Sequence, residues 1–152
     1  MTPVEFDFCV RPIVAERDRK QHDLATIDEK GLRKIAKGKT FVVVPKLREY
    51  VVIDSEVYDY LDQLRGVIDQ IDGGNHETFA VSGDYFSNNL RFTYEQSTKK
   101  LEIYDVNGGS FSIKVAYKDF RSSFLSFYKR ALGDLTTMYP ELSDNQEFGK
   151  MT

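Results

Sequence analysis

Apolar and polar residues alternate through residues 90–116, which is the pattern of β-strands that bury one face. Three runs show it, and Asn107-Gly108-Gly109 between the second and third supplies the positive φ angles of a tight hairpin. The sequence therefore predicts a three-strand antiparallel meander over residues 90–116. Its inward-facing residues are Leu90, Phe92, Tyr94, Leu101, Ile103, Phe111, Ile113 and Val115.

Apolar residues at steps of three and four then predict an amphipathic helix over residues 119–138. Asp119 is a suitable N-cap, and Pro140 ends the helix. An apolar helix stripe needs an apolar surface to bury it, so this stripe should pack on the meander. The polar residues 143–152 are expected to fray. The stripe consists of Phe120, Phe124, Phe127, Ala131, Leu135 and Met138.

A second amphipathic helix is predicted over residues 55–71, directly after Asp54. Its apolar residues fall within an arc of about 120° on a helical wheel. The segment Asp72–Asn75 contains two glycines and ends the helix. The residues of the arc are Val57, Tyr60, Leu61, Leu64, Val67, Ile68 and Ile71.

The N-terminal third predicts further strands. Residues 4–10 alternate so that Cys9 points away from the phenylalanines. A continuous apolar run, Phe41–Val44, and a second run, Tyr50–Ile53, predict a hairpin with Pro45 between them. Thr78–Val81 predicts one more short strand.

The connecting segments are assigned from their turn and cap residues. Pro12 ends the first strand or begins a turn, and the charged residues 15–25 indicate a loop or a ragged helix. Asp28 is expected to cap a short helix that Gly38 ends. Residues 83–89 are interpreted as a loop that enters the meander.

These elements together predict an α+β fold. An antiparallel sheet, formed by the 90–116 meander and the N-terminal strands, is packed by the central helix 55–71 and the C-terminal helix 119–138. The length of 152 residues fits one domain over residues 1–152. No apolar run reaches the ~20 residues of a membrane span. The N-terminus has no basic segment ahead of an apolar one, and Cys9 is the only cysteine, so we predict a cytoplasmic location.

The net charge of −3 hides an asymmetry along the chain. Residues 1–48 carry eleven Lys and Arg against seven Asp and Glu, whereas residues 49–152 carry ten against seventeen. The basic segment Lys30–Arg48 has the charge to contact a phosphate backbone. A nucleic-acid-binding domain is therefore one alternative, although the whole chain is acidic and the segment has few aromatics for base stacking.

The inventory of reactive side chains indicates no catalytic set. Only His22 and His76 are present, and neither lies at metal-ligand spacing from another His or Cys. The two Gly-Gly pairs lack phosphate-loop patterns, and the segment Asp105–Gly108 lacks the remaining ligands of a calcium loop. We predict no catalytic residue, no cofactor and no metal. A small hydrolase or nucleotide-processing enzyme that uses some of the many carboxylates stays open as an alternative.

The central helix carries the most concentrated charge. From Asp54 to Glu77 there are seven acidic residues and one basic residue, Arg65. Their arrangement suits either a solvated face or a surface complementary to a basic partner. The residues predicted to contact a partner are Glu56, Asp59, Asp62, Asp69 and Asp72.

Residues 90–132, LRFTYEQSTKKLEIYDVNGGSFSIKVAYKDFRSSFLSFYKRAL, resemble immunity proteins of bacterial contact-dependent growth inhibition and other polymorphic toxin systems. Some of those proteins have a meander that ends in an NGG-like hairpin, followed by a long aromatic-rich helix. The resemblance implies a non-catalytic inhibitor that binds one cognate toxin, often a nuclease, and covers its active site. The acidic face would then fit the basic substrate surface of a nuclease domain.

Overall fold

The computed structural model describes residues 2–82, 89–106 and 109–151. The strands are β1 Glu5–Val10, β2 Lys37–Val44, β3 Glu49–Glu56, β4 Phe79–Val81, β5 Leu90–Glu95, β6 Lys100–Asp105 and β7 Ser112–Ala116. The helices are α1 Pro12–Gln21, α2 Glu29–Leu32, α3 Val57–Asp72, α4 Tyr117–Met138 and α5 Gln146–Gly149, with 3-10 turns at Pro45–Leu47 and Pro140–Asp144.

The α+β class is confirmed, but the strands form two antiparallel sheets, whereas the sequence predicted one sheet that joins the meander to the N-terminal strands. The N-terminal sheet has the order β1-β2-β3, and the C-terminal sheet has the order β4-β5-β6-β7. The predicted meander is β5-β6-β7, with Phe92 opposite Ile103 and Ile103 opposite Ile113. In the N-terminal sheet, β2 and β3 form the predicted hairpin, and β1 joins the other side of β2.

The aromatic stripe of α4 holds the two sheets together. The ring of Phe6 on β1 lies 5.5–5.6 Å, centroid to centroid, from the rings of Phe120, Phe124 and Phe127. Phe92 on β5 lies 6.0 Å from Phe120. The predicted contact of this helix with the meander is therefore confirmed, and the same stripe also buries the inner face of the N-terminal sheet.

The central helix begins two residues later than predicted. Asp54 and Ser55 belong to β3, where they pair with Lys39 and Gly38. Because β2 extends back to Lys37, β3 keeps a hydrogen-bonding partner as far as Glu56, and the helix starts only after it.

The short helix after Asp28 is also shorter than predicted. Asp28 caps α2 by accepting a hydrogen bond from the Gly31 backbone N–H at 2.8 Å, as expected. The helix ends at Leu32, however, and Ala36 turns the chain with a φ of 61°. Gly38 is not a helix stop but lies within β2, where a Cβ atom would stand 2.1 Å from the Cys9 carbonyl oxygen.

Two further helix starts differ from the sequence prediction. Pro12 occupies the first turn of α1, where a proline is tolerated. The helix continues to Gln21, so residues 15–21 of the charged segment 15–25 are a regular helix. Asp119 is not the cap of α4, because Ala116 holds that position without a side-chain hydrogen bond. The Tyr117 backbone N–H is instead bonded to the Lys99 carbonyl oxygen at 3.0 Å.

The C-terminal residues pack against the body of the protein, so the predicted fraying of residues 143–152 is wrong for 143–151. Phe148 is only 2% exposed. Asn145 caps α5 by accepting from the Phe148 backbone N–H, and its amide donates to the carbonyl oxygens of Leu24 and Ile27, each at 2.9 Å. These bonds fix the segment to the turn before α2.

Two predicted turns fall on residues outside the described ranges. They are the Asn107-Gly108-Gly109 hairpin, of which residues 107–108 are not described, and the loop at 83–89, of which residues 83–88 are not described. Across the described ranges, no helix combines the length and the apolar character that crossing a bilayer requires.

Candidate functional site

Asp59 and Asp62 lie together on α3 and share one guanidinium, that of Arg33. Arg33 Nη1 donates to Asp59 Oδ1 at 2.7 Å, and Nη2 donates to Asp62 Oδ2 at 2.5 Å. Nη2 also donates to Glu29 Oε1 on α2 at 2.9 Å. Residues three apart on a helix point to the same side, so α3 presents both aspartates to the end of α2. We call these four residues the Arg33 cluster.

The Arg33 cluster carries more negative than positive charge, because three carboxylates surround one guanidinium. The side chains of Arg33, Asp59 and Asp62 are between 27% and 33% exposed, so the group is half-buried and still reachable from solvent. Burial opposes the charge of Arg33, but hydrogen bonds to the three carboxylates raise its pKa above the ordinary value. The cluster is therefore an ordered anionic site.

Tyr58 adds an apolar side to this cluster. Burial, followed by the negative charge of Asp62, raises the pKa of Tyr58 to about 12, so its phenol stays protonated at neutral pH. The ring lies 5.9 Å from that of Phe148, centroid to centroid. The C-terminal segment thus supports the region of α3 that holds Asp59 and Asp62.

Asp69 and Asp72 have different surroundings from the Arg33 cluster. Asp69 is bonded to Arg65 one turn away at 3.2 Å. Asp72 accepts from Arg121 Nε at 2.9 Å and from the Tyr117 hydroxyl at 2.8 Å. Each carboxylate is thus matched by one arginine, and Asp72 ties the end of α3 to α4.

Glu56 stands at the other end of α3, as the last residue of β3 and opposite Lys37. It lines a cavity beside α1 and is half-buried. The five predicted partner-binding residues therefore differ in their neighbours. The structure brings Asp59 and Asp62 together and places Glu56, Asp69 and Asp72 in three other settings.

The outward face of the N-terminal sheet is a second candidate surface. The strand register places Val43 beside Tyr50 and Phe41 beside Val52, and all four side chains point away from the core that Phe6 enters. Tyr50 is 68% exposed. Charged residues border this apolar group, and Lys39 Nζ bonds Asp54 Oδ1 at 2.5 Å. An apolar centre within a charged border is typical of protein interfaces.

The third candidate is the cavity beside α1, with a volume of about 530 Å³. Helix α1 contributes Asp18, His22 follows its end, and Lys34 lies in the link between α2 and β2. The first residue of β2, Lys37, and the last residue of β3, Glu56, complete this part of the lining. Asp18 is 7% exposed and is held in place, because its Oδ2 accepts from the Ala36 backbone N–H at 3.0 Å and from the Tyr139 hydroxyl at 2.7 Å.

The basic segment Lys30–Arg48 is divided among these surfaces. Arg33 turns toward the acidic residues of α3, and Lys39 pairs with Asp54. Lys34 and Lys37 line the cavity. The segment therefore does not form the continuous basic stripe that would follow a phosphate backbone.

The candidate reactive side chains are dispersed. Cys9 is exposed on the outward side of β1. The His76 ring lies 4.8 Å from that of Tyr94, far along the chain from the cavity that His22 lines. Across residues 2–82, 89–106 and 109–151, the His, Cys, Asp and Glu side chains form no group of three that could hold a metal ion.

No protein-family model matches the chain, and no curated protein or solved structure matches it either.

The sequence predicted the acidic side of α3 but missed the residues that organise it. Arg33 and Glu29 share the i,i+4 spacing of a helix ion pair, which is a detectable signal. Nothing in the sequence indicated that Arg33 would meet Asp59, 26 residues later. Asp18 was equally hidden, because a buried carboxylate within a charged segment has no distinguishing pattern.

Proposed function

We propose that the chain is a non-catalytic immunity protein of the bacterial toxin-inhibitor type. It binds a cognate toxin, a nuclease with a basic domain, and covers the active-site surface with its own acidic surface. Such an inhibitor acts in the cytoplasm, and a single exposed thiol, Cys9, suits a reducing compartment.

The observation that carries this proposal is the excess of negative charge in the Arg33 cluster. Arg33 already orders Asp59 and Asp62, so a partner's lysine or arginine meets carboxylates that lose little further freedom on binding. Both side chains stay partly exposed, so a second cation could approach them from solvent, although Asp59 Oδ2 also accepts from Gln63 Nε2 at 2.9 Å. A matching positive surface would also accelerate the encounter.

The outward face of the N-terminal sheet provides apolar contact area, which the charged Arg33 cluster does not. Exposed Tyr50, with Phe41 and Val52 beside it, offers apolar area of the kind that dominates binding energy at interfaces. Glu56 ends this face and precedes α3 directly, so the apolar face and the helix that bears Asp59 meet at that residue.

The test of the proposal is protection of a cell from a toxin. The proposal predicts that a gene beside that of this chain encodes a large secreted protein with a C-terminal toxin domain, and that domain is expressed in a susceptible bacterium with and without this chain. We expect co-expression to restore growth and the two purified proteins to form a stable complex. Continued growth arrest despite a folded, abundant chain would contradict the proposal.

A small hydrolase is the second candidate, because the cavity beside α1 brings Asp18 and His22 to one wall. Against it, the Asp18 carboxylate is already engaged by two hydrogen bonds that tie it to the fold, from the Ala36 backbone N–H and the Tyr139 hydroxyl. Hydrolysis of ester or phosphoester test substrates that is lost in His22→Asn would favour the enzyme over the inhibitor.

A further inference from the structure

We propose that the cavity beside α1 binds a small phosphorylated polyol, such as a sugar phosphate. The phosphate would lie between Arg17, Lys34 and Lys37, and the hydroxyl groups would bond to the polar side chains on the remaining wall. This site is distinct from the Arg33 cluster, and the inference does not depend on the proposed function.

The charge of the cavity favours an anion. Arg17, Lys34 and Lys37 line it together with His22, against the two carboxylates of Asp18 and Glu56. Of the two carboxylate oxygens of Asp18, Oδ2 already accepts hydrogen bonds from the Tyr139 hydroxyl and the Ala36 backbone N–H. These donors offset part of the negative charge that Asp18 brings to the cavity.

Two of these cations have no carboxylate partner within the part of the chain that the structure describes. Arg19, Lys39, Arg65 and Arg121 are each paired with an acidic residue. By contrast, neither Arg17 nor Lys34 forms an ion pair with any residue in the described ranges. Because both side chains border the same cavity, they provide a charge-assisted site for a phosphate group.

The cations come from separate parts of the fold, and the backbone holds them around one space. Arg17 belongs to α1, whereas Lys34 and Lys37 lie on either side of Ala36. Ala36 is fully buried, and its φ of 61° lies in the left-handed region. The backbone N–H of Ala36 donates to Asp18, and the Ala36 carbonyl oxygen accepts from the Val57 backbone N–H at 2.9 Å.

The lining also selects the class of ligand. Among the described residues that line the cavity, Val14 is the only apolar one and none is Phe, Tyr or Trp, so a base would have only the His22 ring to stack on. Gln21, Asp18 and Glu56 offer oxygen atoms that accept hydrogen bonds from hydroxyl groups. A volume of about 530 Å³ is larger than one phosphate needs and lies in the range of small-ligand sites.

The experiment is calorimetric titration of the purified chain with glucose 6-phosphate, inorganic phosphate, glucose and a short single-stranded oligonucleotide. We expect one glucose 6-phosphate per chain, bound at least about tenfold more tightly than phosphate, and no saturable binding of glucose. The variant Arg17→Gln/Lys34→Gln should weaken glucose 6-phosphate binding by at least about tenfold.

The control variant is Arg11→Gln/Lys30→Gln, which removes the same charge from exposed positions on the same segments, outside the cavity. Its affinity should change by less than about twofold. Absence of saturable binding up to about 10 mM, or equal losses in both variants, would overturn the inference. The inference would also be overturned if the oligonucleotide bound, if its binding were lost in Arg17→Gln/Lys34→Gln, and if glucose 6-phosphate did not bind. Circular dichroism of both variants checks that they are folded.

Discussion

The hydroxyl of Tyr139 donates a hydrogen bond to Asp18 Oδ2 at 2.7 Å, between residues 121 positions apart in the chain. Tyr139 is fully buried and Asp18 is 7% exposed. Burial, the hydrogen bond and the charge of Asp18 all raise the pKa of Tyr139 above its ordinary value. The bond joins α1 to the segment after α4, and Asp18 extends it to Ala36.

Replacing Tyr139 with Phe should destabilise the fold by about 1.5–3 kcal/mol, because the buried carboxylate of Asp18 loses one of its donors. The measurement is the free energy of unfolding in urea. Tyr50→Phe is the matched control, since that ring is 68% exposed, and it should change stability by less than about 0.5 kcal/mol. Equal values for the two variants would refute the structural role of this bond.

Replacing Arg33 with Gln should cost about 1–2 kcal/mol of stability at low salt, because Glu29, Asp59 and Asp62 lose their shared cation. The loss should shrink at high ionic strength, which screens the repulsion among the carboxylates. Urea unfolding at two salt concentrations measures both effects. Lys30→Gln, at an exposed position on α2, should show neither; a salt-independent loss in Arg33→Gln would argue against an electrostatic cause.

Replacing Phe148 with Ala tests whether the C-terminal segment is a structural part of the protein. Phe148 is 2% exposed and packs on Tyr58, so the change should cost about 3 kcal/mol of unfolding free energy. Lys150→Ala, whose side chain is 72% exposed, serves as the control and should be nearly neutral. A loss below about 1 kcal/mol in Phe148→Ala would support the frayed tail that the sequence suggested.

Alkaline pH should destabilise the fold through its buried tyrosines. Burial raises the pKa of Tyr58 and of Tyr128 from 10.0 to about 12. Between those values the unfolded chain releases phenolic protons that the folded chain keeps. The stabilisation is therefore complete below pH 10 and is lost as the pH rises toward 12, by up to about 1.4 kcal/mol per pH unit for each tyrosine.

The measurement is the urea midpoint as a function of pH, together with the ultraviolet absorbance of tyrosinate. The Tyr128→Phe variant should lose part of the pH dependence. A free energy of unfolding that stays constant from pH 10 to 12 would contradict the assigned burial of these phenols.

Strand positions could be predicted because period-two alternation depends on local sequence alone, as in β5, β6 and β7. The end of β3 could not, because Asp54–Glu56 stay extended only through pairing with β2. The turn between α2 and β2 uses Ala36 in the left-handed region, and an alanine in the sequence gives no sign of that conformation. The C-terminal segment is held by the buried Phe148 and by the hydrogen bonds of Asn145, and two such residues give no periodic signal in the sequence.

The candidate site was predictable in part for a similar reason. Helical spacing placed Asp59 and Asp62 on one side of α3. The guanidinium that joins them comes from Arg33, and that contact depends on how α2 packs against α3. The one-to-one pairing of Asp72 with Arg121 likewise depends on tertiary packing, here of α3 against α4.

The most direct test of the central claim, that the Arg33 cluster binds the partner, is the affinity of the proposed cognate toxin domain for the variant Asp59→Asn/Asp62→Asn. Asp134→Asn/Asp144→Asn is the control, with the same charge change at exposed positions. We predict that the first variant weakens binding by at least about 30-fold and flattens its salt dependence, while the control stays within about threefold. Equal affinities for the two variants would contradict the account.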